Sequence, residues 1–261
     1  MDHVPPRPDT LHPAPPVPAP ADAPQRVAAL PPATWRWWEA VGIYLLAFLL
    51  AGFATVPVIL AIDSEDLATM VASFVAAIVL CGAIVIWLRR VHPGWRAIIG
   101  TRMLSGKEVA LVVGSGVLLY LGVVFVVGSV LYTIISAVSG EPVKTPEQVP
   151  QGLSAAGIAV TVVYGLIIAP IGEEFFFRGV LFRSIRDRHG FWLGALGSGL
   201  AFGLIHYIPG PALNAILLMS VMVFTGMGLA WIYERRGTIV APMLAHMTFN
   251  VIGLALIYSL R

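Results

Sequence analysis

Two adjacent acids and an arginine stand in an otherwise apolar stretch of this sequence, GEEFFFRG. The acids are Glu173 and Glu174, and the arginine is Arg178. A glutamate and an arginine four residues apart share one helix face, so Glu174 and Arg178 are predicted to form an ion pair. Glu173 is then left without a cation. A carboxylate in that position can take a proton from water, which makes Glu173 a candidate general base.

Two more pairs with this spacing follow along the chain. FGLIH places Phe202 before His206, and HMTFN places His246 before Asn250. An imidazole can hold a water molecule by a hydrogen bond, which suits His206 as the partner of a base. His246 and Asn250 could supply the donors that a developing oxyanion requires. The chemistry predicted for this set is hydrolysis of a peptide bond, with Phe202 interpreted as packing.

The composition places these polar residues in a membrane protein. Hydrophobic residues make up 58% of the 261-residue chain, charged residues make up only 11%, and the mean hydropathy is +0.86. A charged side chain inside a bilayer costs a few kcal/mol or more, so its default interpretation is a functional site facing the bundle interior. Counting along the chain from the polar turns predicts that Glu173, His206 and His246 lie at one depth on three helices.

Seven apolar stretches are close to the length of about 20 residues that a helix needs to cross a bilayer. They lie near residues 39–62, 67–88, 108–137, 154–182, 191–207, 212–233 and 238–259. The predicted fold class is therefore an all-α polytopic membrane protein with about seven transmembrane helices. The range is six to eight, because the third and fourth stretches are long enough to tilt or to break at Pro170–Gly172.

Positive charge is strongly asymmetric between the loops. Thirteen of the sixteen lysines and arginines fall on one side, whereas Lys144 and Arg261 fall on the other. The positive-inside rule therefore predicts a cytoplasmic N-terminus, and all seven tryptophans lie beside the same boundary.

A net charge of +2 without a compact basic face excludes nucleic acid as a partner. The single cysteine, Cys81, excludes a disulfide or a CxxC site within the chain.

The chain is predicted to have three parts. Residues 1–34 hold 11 of the 20 prolines, which predicts a disordered Pro-rich cytoplasmic tail. No apolar run near the start resembles a signal peptide. Residues 35–149 are predicted to form N-terminal transmembrane helices, and residues 150–261 a catalytic transmembrane core. Small residues in GALGSGLAFG are interpreted as helix packing.

The motifs EExxxR, FxxxH and HxxxN occur in this order over about residues 150–258 and resemble those of the CPBP intramembrane proteases. That family includes CAAX prenyl endopeptidases and bacteriocin self-immunity proteins. The resemblance implies that Glu173 is the general base and that His206 holds the attacking water. It also implies that Glu174 and Arg178 form the supporting pair.

The resemblance further implies that His246 and Asn250 contact the oxyanion or the substrate. Two imidazoles and a glutamate could instead bind zinc together with a water, and the family has been treated as metalloproteases. The sequence has no HExxH motif, and Asn250 is a poor zinc ligand. No cofactor and no metal are therefore expected, with a zinc-dependent protease as the alternative.

Two other classes of protein use similar residues. A proton-coupled transporter would show an inverted repeat, which is not evident here. A non-catalytic immunity or adaptor protein would not need all six polar positions.

The expected partners are the lipid bilayer and a membrane-associated peptide or protein substrate, which enters from the lipid side or the cytoplasmic interface. The Ala-, Gly- and Pro-rich composition is typical of a bacterial protein, which predicts a location in the bacterial plasma membrane. The loop 139–152 is interpreted as a connector. The sequence indicates no oligomeric state.

Overall fold

The computed structural model describes residues 26–144, 146, 149 and 154–259, and these residues form a bundle of helices without a β-strand. The predicted all-α class is confirmed. A 3₁₀ turn at Val27–Ala29 precedes the first long helix. The helices are α1 (Trp37–Ala61), α2 (Glu65–Val91), α3 (Trp95–Ile99), α4 (Gly106–Ser139), α5 (Ala155–His189), α6 (Phe191–Ile205), α7 (Ala212–Arg236) and α8 (Val240–Ser259).

Within the described residues, six helices are long and apolar enough to cross a membrane: α1, α2, α4, α5, α7 and α8. The stretch predicted near 191–207 is also a helix, α6, but it has only 15 residues. At 1.5 Å per residue it is about 22 Å long, shorter than the roughly 30 Å hydrocarbon core. Six helices rather than seven are therefore spans by length, within the predicted range, and α6 ends inside the bundle at His206.

Polar caps and glycines set the helix boundaries. The side chains of Ser64, Ser105 and Ser154 each accept a hydrogen bond from a backbone N–H in the first turn of α2, α4 and α5. These bonds satisfy donors that a helix start leaves free. Gly190 and Gly237 adopt φ of 86° and 62° at the ends of α5 and α7, where a side chain would be strained. The chain reverses sharply at both glycines.

The two longest helices contain π-helical turns and do not break. In α5, residues Tyr164–Ile168 and Phe175–Phe182 are π-helical, and Ala169–Glu174 between them is regular α-helix. The predicted break at Pro170–Gly172 is therefore absent. Because a proline ring clashes with the carbonyl four residues earlier, the wider turn just before Pro170 gives it room. The helix runs on without interruption to the residues that carry the acids.

The described end of the predicted disordered tail is packed on the protein. Val27 is fully buried, and its carbonyl accepts a hydrogen bond from the Nη1 of Arg183, 3.0 Å away. The backbone N–H of Ala33 donates to the Oδ2 of Asp187 over 2.8 Å. The prediction of disorder is thus wrong for residues 26–34. Their backbone makes hydrogen bonds to the buried ion pair of Arg183 and Asp187, which cannot be inferred from the composition of the tail. The first 25 residues lie outside the described part of the chain.

Residues 26–36 and α3 together form what we call the basal layer, at the end of the bundle that carries the basic loops. The indole of Trp35 donates to the carbonyl of Val180, 2.9 Å away, inside the second π-helical turn of α5. Trp95 of α3 packs edge-on against Phe175 of the same turn, with ring centroids 5.8 Å apart. The basal layer therefore closes the bundle beneath the helix that carries the acids.

Candidate functional site

Three helices bring the predicted polar residues to one cavity of about 730 Å³. Glu173 comes from the middle of α5, His206 from the end of α6, and His246 and Asn250 from α8. The structure thus places four of the six predicted site residues on the cavity wall. The other two, Glu174 and Arg178, are fully buried behind it.

Glu174 joins the arginine to the histidine of α8. Its Oε2 lies 3.1 Å from the Nε of Arg178, which gives the ion pair predicted from the four-residue spacing. Its Oε1 lies 2.9 Å from the Nδ1 of His246. The guanidinium also donates through Nη2 to the carbonyl of Gly226 on α7, 3.2 Å away. Because a buried charge is tolerated only when it is paired, these contacts fix the positions of α5, α7 and α8.

Glu173 differs from its neighbour in exposure and in partners. Its side chain is 24% exposed, whereas that of Glu174 is fully buried. Its Oε2 lies 3.9 Å from the Nε2 of His246. This contact joins Glu173 to His246, whereas the sequence suggested His206 as its partner. Glu173 and His206 share the cavity wall, and their cooperation on one water stays a prediction.

The imidazole of His206 is oriented by the end of its own helix. Its Nδ1 lies 2.8 Å from the carbonyl oxygen of Phe202, one of the acceptors that a helix C-terminus leaves without an intrahelical partner. A carbonyl can only accept a hydrogen bond, so Nδ1 carries the proton. In the neutral ring, Nε2 is then left with a lone pair that can accept a hydrogen bond from water.

Asn250 is tied to the first π-helical turn of α5. Its Nδ2 donates to the carbonyl of Gly165 over 2.7 Å, which links α8 to α5 one turn away from His246. One amide N–H and the amide oxygen remain for other partners. Asn250 therefore has the capacity to contact a substrate while it also holds two helices together.

Phe202 has a larger role than the packing inferred from the sequence. Its ring is fully buried, and the Cζ of Arg178 lies 4.4 Å from the ring centroid, in the geometry of a cation–π contact. The ring of His206 lies 4.6 Å from it, and that of His246 lies 5.7 Å from it. The sequence signal was present in the FxxxH spacing, but the contacts with α5 and α8 could not be inferred from α6 alone.

The glycines of α6 allow it to lie directly against α7, as their spacing indicated. A Cβ on Gly203 would lie 2.6 Å from the carbonyl oxygen of Met219, and a Cβ on Gly199 would lie 2.9 Å from that of Val223. Both distances are too short for a side chain. This close approach holds Phe202 over the arginine and places His206 at the cavity.

The charges at the site are nearly balanced. Glu173 and Glu174 carry two negative charges and Arg178 one positive charge, so one negative charge remains when His246 is neutral. The Nδ1 of His246 lies 2.9 Å from Glu174, whereas its Nε2 lies 3.9 Å from Glu173, beyond hydrogen-bond distance.

The described residues do not form a metal centre. Nowhere in residues 26–144, 146, 149 and 154–259 do three or more His, Cys, Asp or Glu side chains come together in a way that could hold a metal ion. The Nδ1 atoms of His206 and His246 are both engaged by oxygen acceptors of the protein. A metal-binding histidine commonly makes such a contact through its other ring nitrogen, so a site without zinc stays a prediction.

The part of the chain that carries the site is similar to a known protein family. Residues 155–252 match the model of the family described as "Type II CAAX prenyl endopeptidase Rce1-like". This range contains both glutamates, the arginine, both histidines and the asparagine of the site. The resemblance inferred from the motifs is confirmed for this part of the chain. The fold is that of an all-α integral membrane protein, and its residues 155–252 are similar to the CAAX prenyl endopeptidase family.

Two curated relatives are similar over part of their length. The chain is 30% identical over 93 residues to the "Putative membrane peptidase YdiL" of Bacillus subtilis (strain 168), covering 36% of this chain and 35% of that protein. It is 29% identical over 153 residues to an "Uncharacterized 24.3 kDa protein" of Escherichia coli, covering 58% of this chain and 65% of that protein. Neither match reaches two thirds of the relative's length. No solved structure matches.

Proposed function

We propose that this protein is an intramembrane endopeptidase that hydrolyses peptide bonds of membrane-associated polypeptides with a water activated by Glu173. The observation that carries the proposal is the contrast between the two adjacent glutamates. Glu174 is fully buried and engaged by Arg178 and His246, whereas Glu173 is partly exposed on the cavity wall. One carboxylate is thus committed to structure, and the other is available to water.

The proposed reaction uses residues on the cavity wall. The carboxylate of Glu173 takes a proton from a water that also donates to the Nε2 of His206, and the water oxygen attacks the carbonyl carbon of the substrate. The C=O π electrons move to the oxygen, which becomes an oxyanion. The Nε2–H of His246 and the free amide N–H of Asn250 are the donors proposed to stabilise it. The intermediate collapses as the C–N bond breaks, and protonated Glu173 returns its proton to the leaving nitrogen.

The test is hydrolysis of a library of quenched, lipidated and unlipidated peptides by the full chain in detergent, with Glu173→Gln as the variant. This change removes the base but keeps the size and hydrogen-bonding capacity of the side chain. We expect hydrolysis to fall by roughly 10²- to 10⁴-fold, the range attributed to general base catalysis. Equal hydrolysis by both forms would contradict the proposal. No hydrolysis of any peptide by the wild-type chain would favour a non-catalytic immunity or adaptor protein.

A further inference from the structure

Two tyrosines on the cavity wall carry hydroxyls that the proposed reaction does not use. Tyr120 lies on α4 and Tyr164 on α5, and both line the cavity that holds the site. Within the described residues, neither hydroxyl has a hydrogen-bond partner in the protein, and neither hydroxyl oxygen is buried. Both hydroxyls can therefore meet a molecule that occupies the cavity.

The ring of Tyr120 packs against the turn of α8 that carries Asn250. Its centroid lies 4.9 Å from that of Phe249, and an added Cβ on Gly253 would lie 3.6 Å from its Cε2. Phe249 and Gly253 stand on either side of Asn250 in the sequence. Tyr120 is only 7% exposed, and a tyrosine so buried usually finds a partner for its hydroxyl. An unpaired hydroxyl at this position indicates that its partner comes from outside the chain.

Tyr164 reaches the same wall because of the π-helical turn in α5. In a regular α-helix, residues nine apart lie on opposite faces, since nine residues make about two and a half turns. Tyr164 and Glu173 are nine apart, yet both line the cavity, because the wider turn at Tyr164–Ile168 lies between them. The residue after Tyr164 is Gly165, whose carbonyl accepts the hydrogen bond from Asn250. Both tyrosines therefore belong to the part of the wall around Asn250.

This part of the wall lies about one helical turn from the reacting groups. Asn250 is four residues after His246, which is about 6 Å along the axis of α8. An extended polypeptide advances about 3.3 Å per residue. A chain whose scissile bond lies beside Glu173 and His246 would therefore bring a backbone oxygen about two residues away to Asn250 and the two tyrosines.

A polypeptide in this cavity needs hydrogen-bond donors for its backbone oxygens. The lining residues are mostly apolar, and no lysine or arginine occurs among the described residues that line the cavity. A carbonyl group that leaves water without finding a donor weakens binding, and a carboxylate weakens it more. A tyrosine hydroxyl can donate one hydrogen bond to such an oxygen. Tyr120 and Tyr164 are thus donors that the proposed reaction leaves available near Asn250.

We propose that Tyr120 and Tyr164 form a subsite that binds backbone oxygen of the substrate, about two residues from the bond that is cleaved. The oxygen belongs either to a carbonyl within the chain or to the carboxylate at its end, because both accept a hydrogen bond from a hydroxyl. The two tyrosines bind the substrate and take no part in the proton transfers. The identity of the ligand as a polypeptide rests on the proposed function, whereas its binding can be measured without hydrolysis.

The test compares Tyr120→Phe and Tyr164→Phe in the full chain in detergent, each combined with Glu173→Gln so that no probe is cleaved. The probe is a fluorescent peptide of leucine and alanine, made with an amidated and with a free C-terminus. Each change removes a hydroxyl but keeps the ring, so we expect the Kd to rise roughly 3- to 10-fold and the unfolding temperature to stay the same.

Tyr207→Phe is the control for these two variants. Tyr207 is 55% exposed and does not line the cavity, so its change should leave the Kd as it was. The two forms of the peptide distinguish the two sources of the oxygen. A higher Kd with both forms identifies a carbonyl within the chain, and a higher Kd with the free acid alone identifies the terminal carboxylate.

A direct hydrogen bond to an internal carbonyl is separated from a change in packing by a double-mutant cycle with the amidated peptide. An ester in place of one backbone amide weakens the carbonyl as an acceptor, and the ester is moved along the peptide one position at a time. We expect one position at which the ester raises the Kd of the chain that keeps both tyrosines but has no further effect in Tyr120→Phe or in Tyr164→Phe.

Three results would overturn the subsite: equal Kd values with and without the hydroxyls, no binding of either peptide, or a higher Kd for the amidated peptide with the same ester effects before and after the changes. Binding that depends on the hydroxyls, together with a complete lack of hydrolysis by the wild-type chain, would sink the proposed function but not the subsite.

Discussion

The Oε1 of Glu174 lies 2.9 Å from the Nδ1 of His246, and this contact joins two helices that are 72 residues apart in sequence. The second oxygen of the same carboxylate is paired with Arg178. The contact fixes the ring of His246, so that its other nitrogen faces Glu173. An acid that looks redundant in the sequence is therefore the residue that positions a histidine of the site.

We expect Glu174→Gln to lower the free energy of unfolding of the protein. Glu174 and Arg178 are both fully buried, and removal of one partner leaves an uncompensated charge, which costs about 3–5 kcal/mol. The measurement is thermal and denaturant-induced unfolding in detergent.

The matched control for this change is Glu108→Gln. Glu108 pairs with Arg102 over 2.7 Å, but the side chain of Arg102 is 36% exposed. Exposed ion pairs contribute no more than about 1 kcal/mol, so the control should lose little stability. Equal losses in the two variants would mean that the buried pair does not hold the helices as inferred.

Hydrolysis should not require a metal ion. The described residues provide no group of three side chains suited to zinc, and the proposed base acts on water directly. We expect EDTA and a zinc-selective chelator to leave the rate of peptide hydrolysis unchanged. Loss of the activity on chelation, with recovery when zinc is added back, would reverse this assignment and return Glu173 and the histidines to the role of ligands.

Gly203→Ala should damage the site although Gly203 carries no functional group. The added Cβ would lie 2.6 Å from the carbonyl of Met219, so α6 must move away from α7 and carry His206 with it. Overpacking of this kind costs about 1–3 kcal/mol. The measurements are the unfolding temperature and the rate of hydrolysis.

Gly114→Ala is the matched control for that change. Gly114 also lies inside a helix, α4, but nothing lies within 4 Å of an added Cβ. Because alanine is the better helix former, this control should be neutral or slightly stabilising. If the two variants behaved alike, the close approach of α6 and α7 would not be what positions His206.

The positions of the helices could be predicted from the sequence, because a long apolar run has few alternatives to a membrane helix. The pairing of Glu174 with Arg178 was predictable for a similar reason, since both residues lie on one helix. The contact of Glu174 with His246 was not, because it depends on how α5 and α8 pack. The end of α6 was predictable to within two residues, because the stretch given as 191–207 is followed by the helix-breaking sequence PGP at residues 209–211.

The basal layer could not be predicted because its contacts are distant in sequence. The proline-rich composition of the tail indicates disorder, but residues 26–36 meet a buried arginine more than 150 residues away. Arg183 was counted as a basic loop residue, although it is fully buried and paired with Asp187. Composition predicts whether a segment folds by itself. Residues 26–36 are instead ordered by their contacts with residues far away in the sequence.

Acidification should loosen the basal layer through His92, which follows α2. Its ring is 6% exposed, packs against Trp87 at a centroid distance of 4.7 Å, and lies 3.0 Å through Nδ1 from the hydroxyl of Thr34. Within the described residues its Nε2 is buried without a hydrogen-bond partner. Burial therefore lowers the pKa of His92 from its ordinary value of 6.5, and Glu39 opposes this effect without cancelling it.

The folded protein thus holds His92 neutral, while the unfolded chain takes up a proton as the pH falls through 6.5. Stability is unaffected by this group above that pH and decreases below it. We expect the unfolding temperature to drop between about pH 8 and about pH 5, and to drop less in His92→Phe, which keeps the aromatic packing but cannot titrate. His189→Phe, at an exposed position, should keep the full drop of the wild-type chain. An undiminished drop in His92→Phe would place the acid sensitivity at another group.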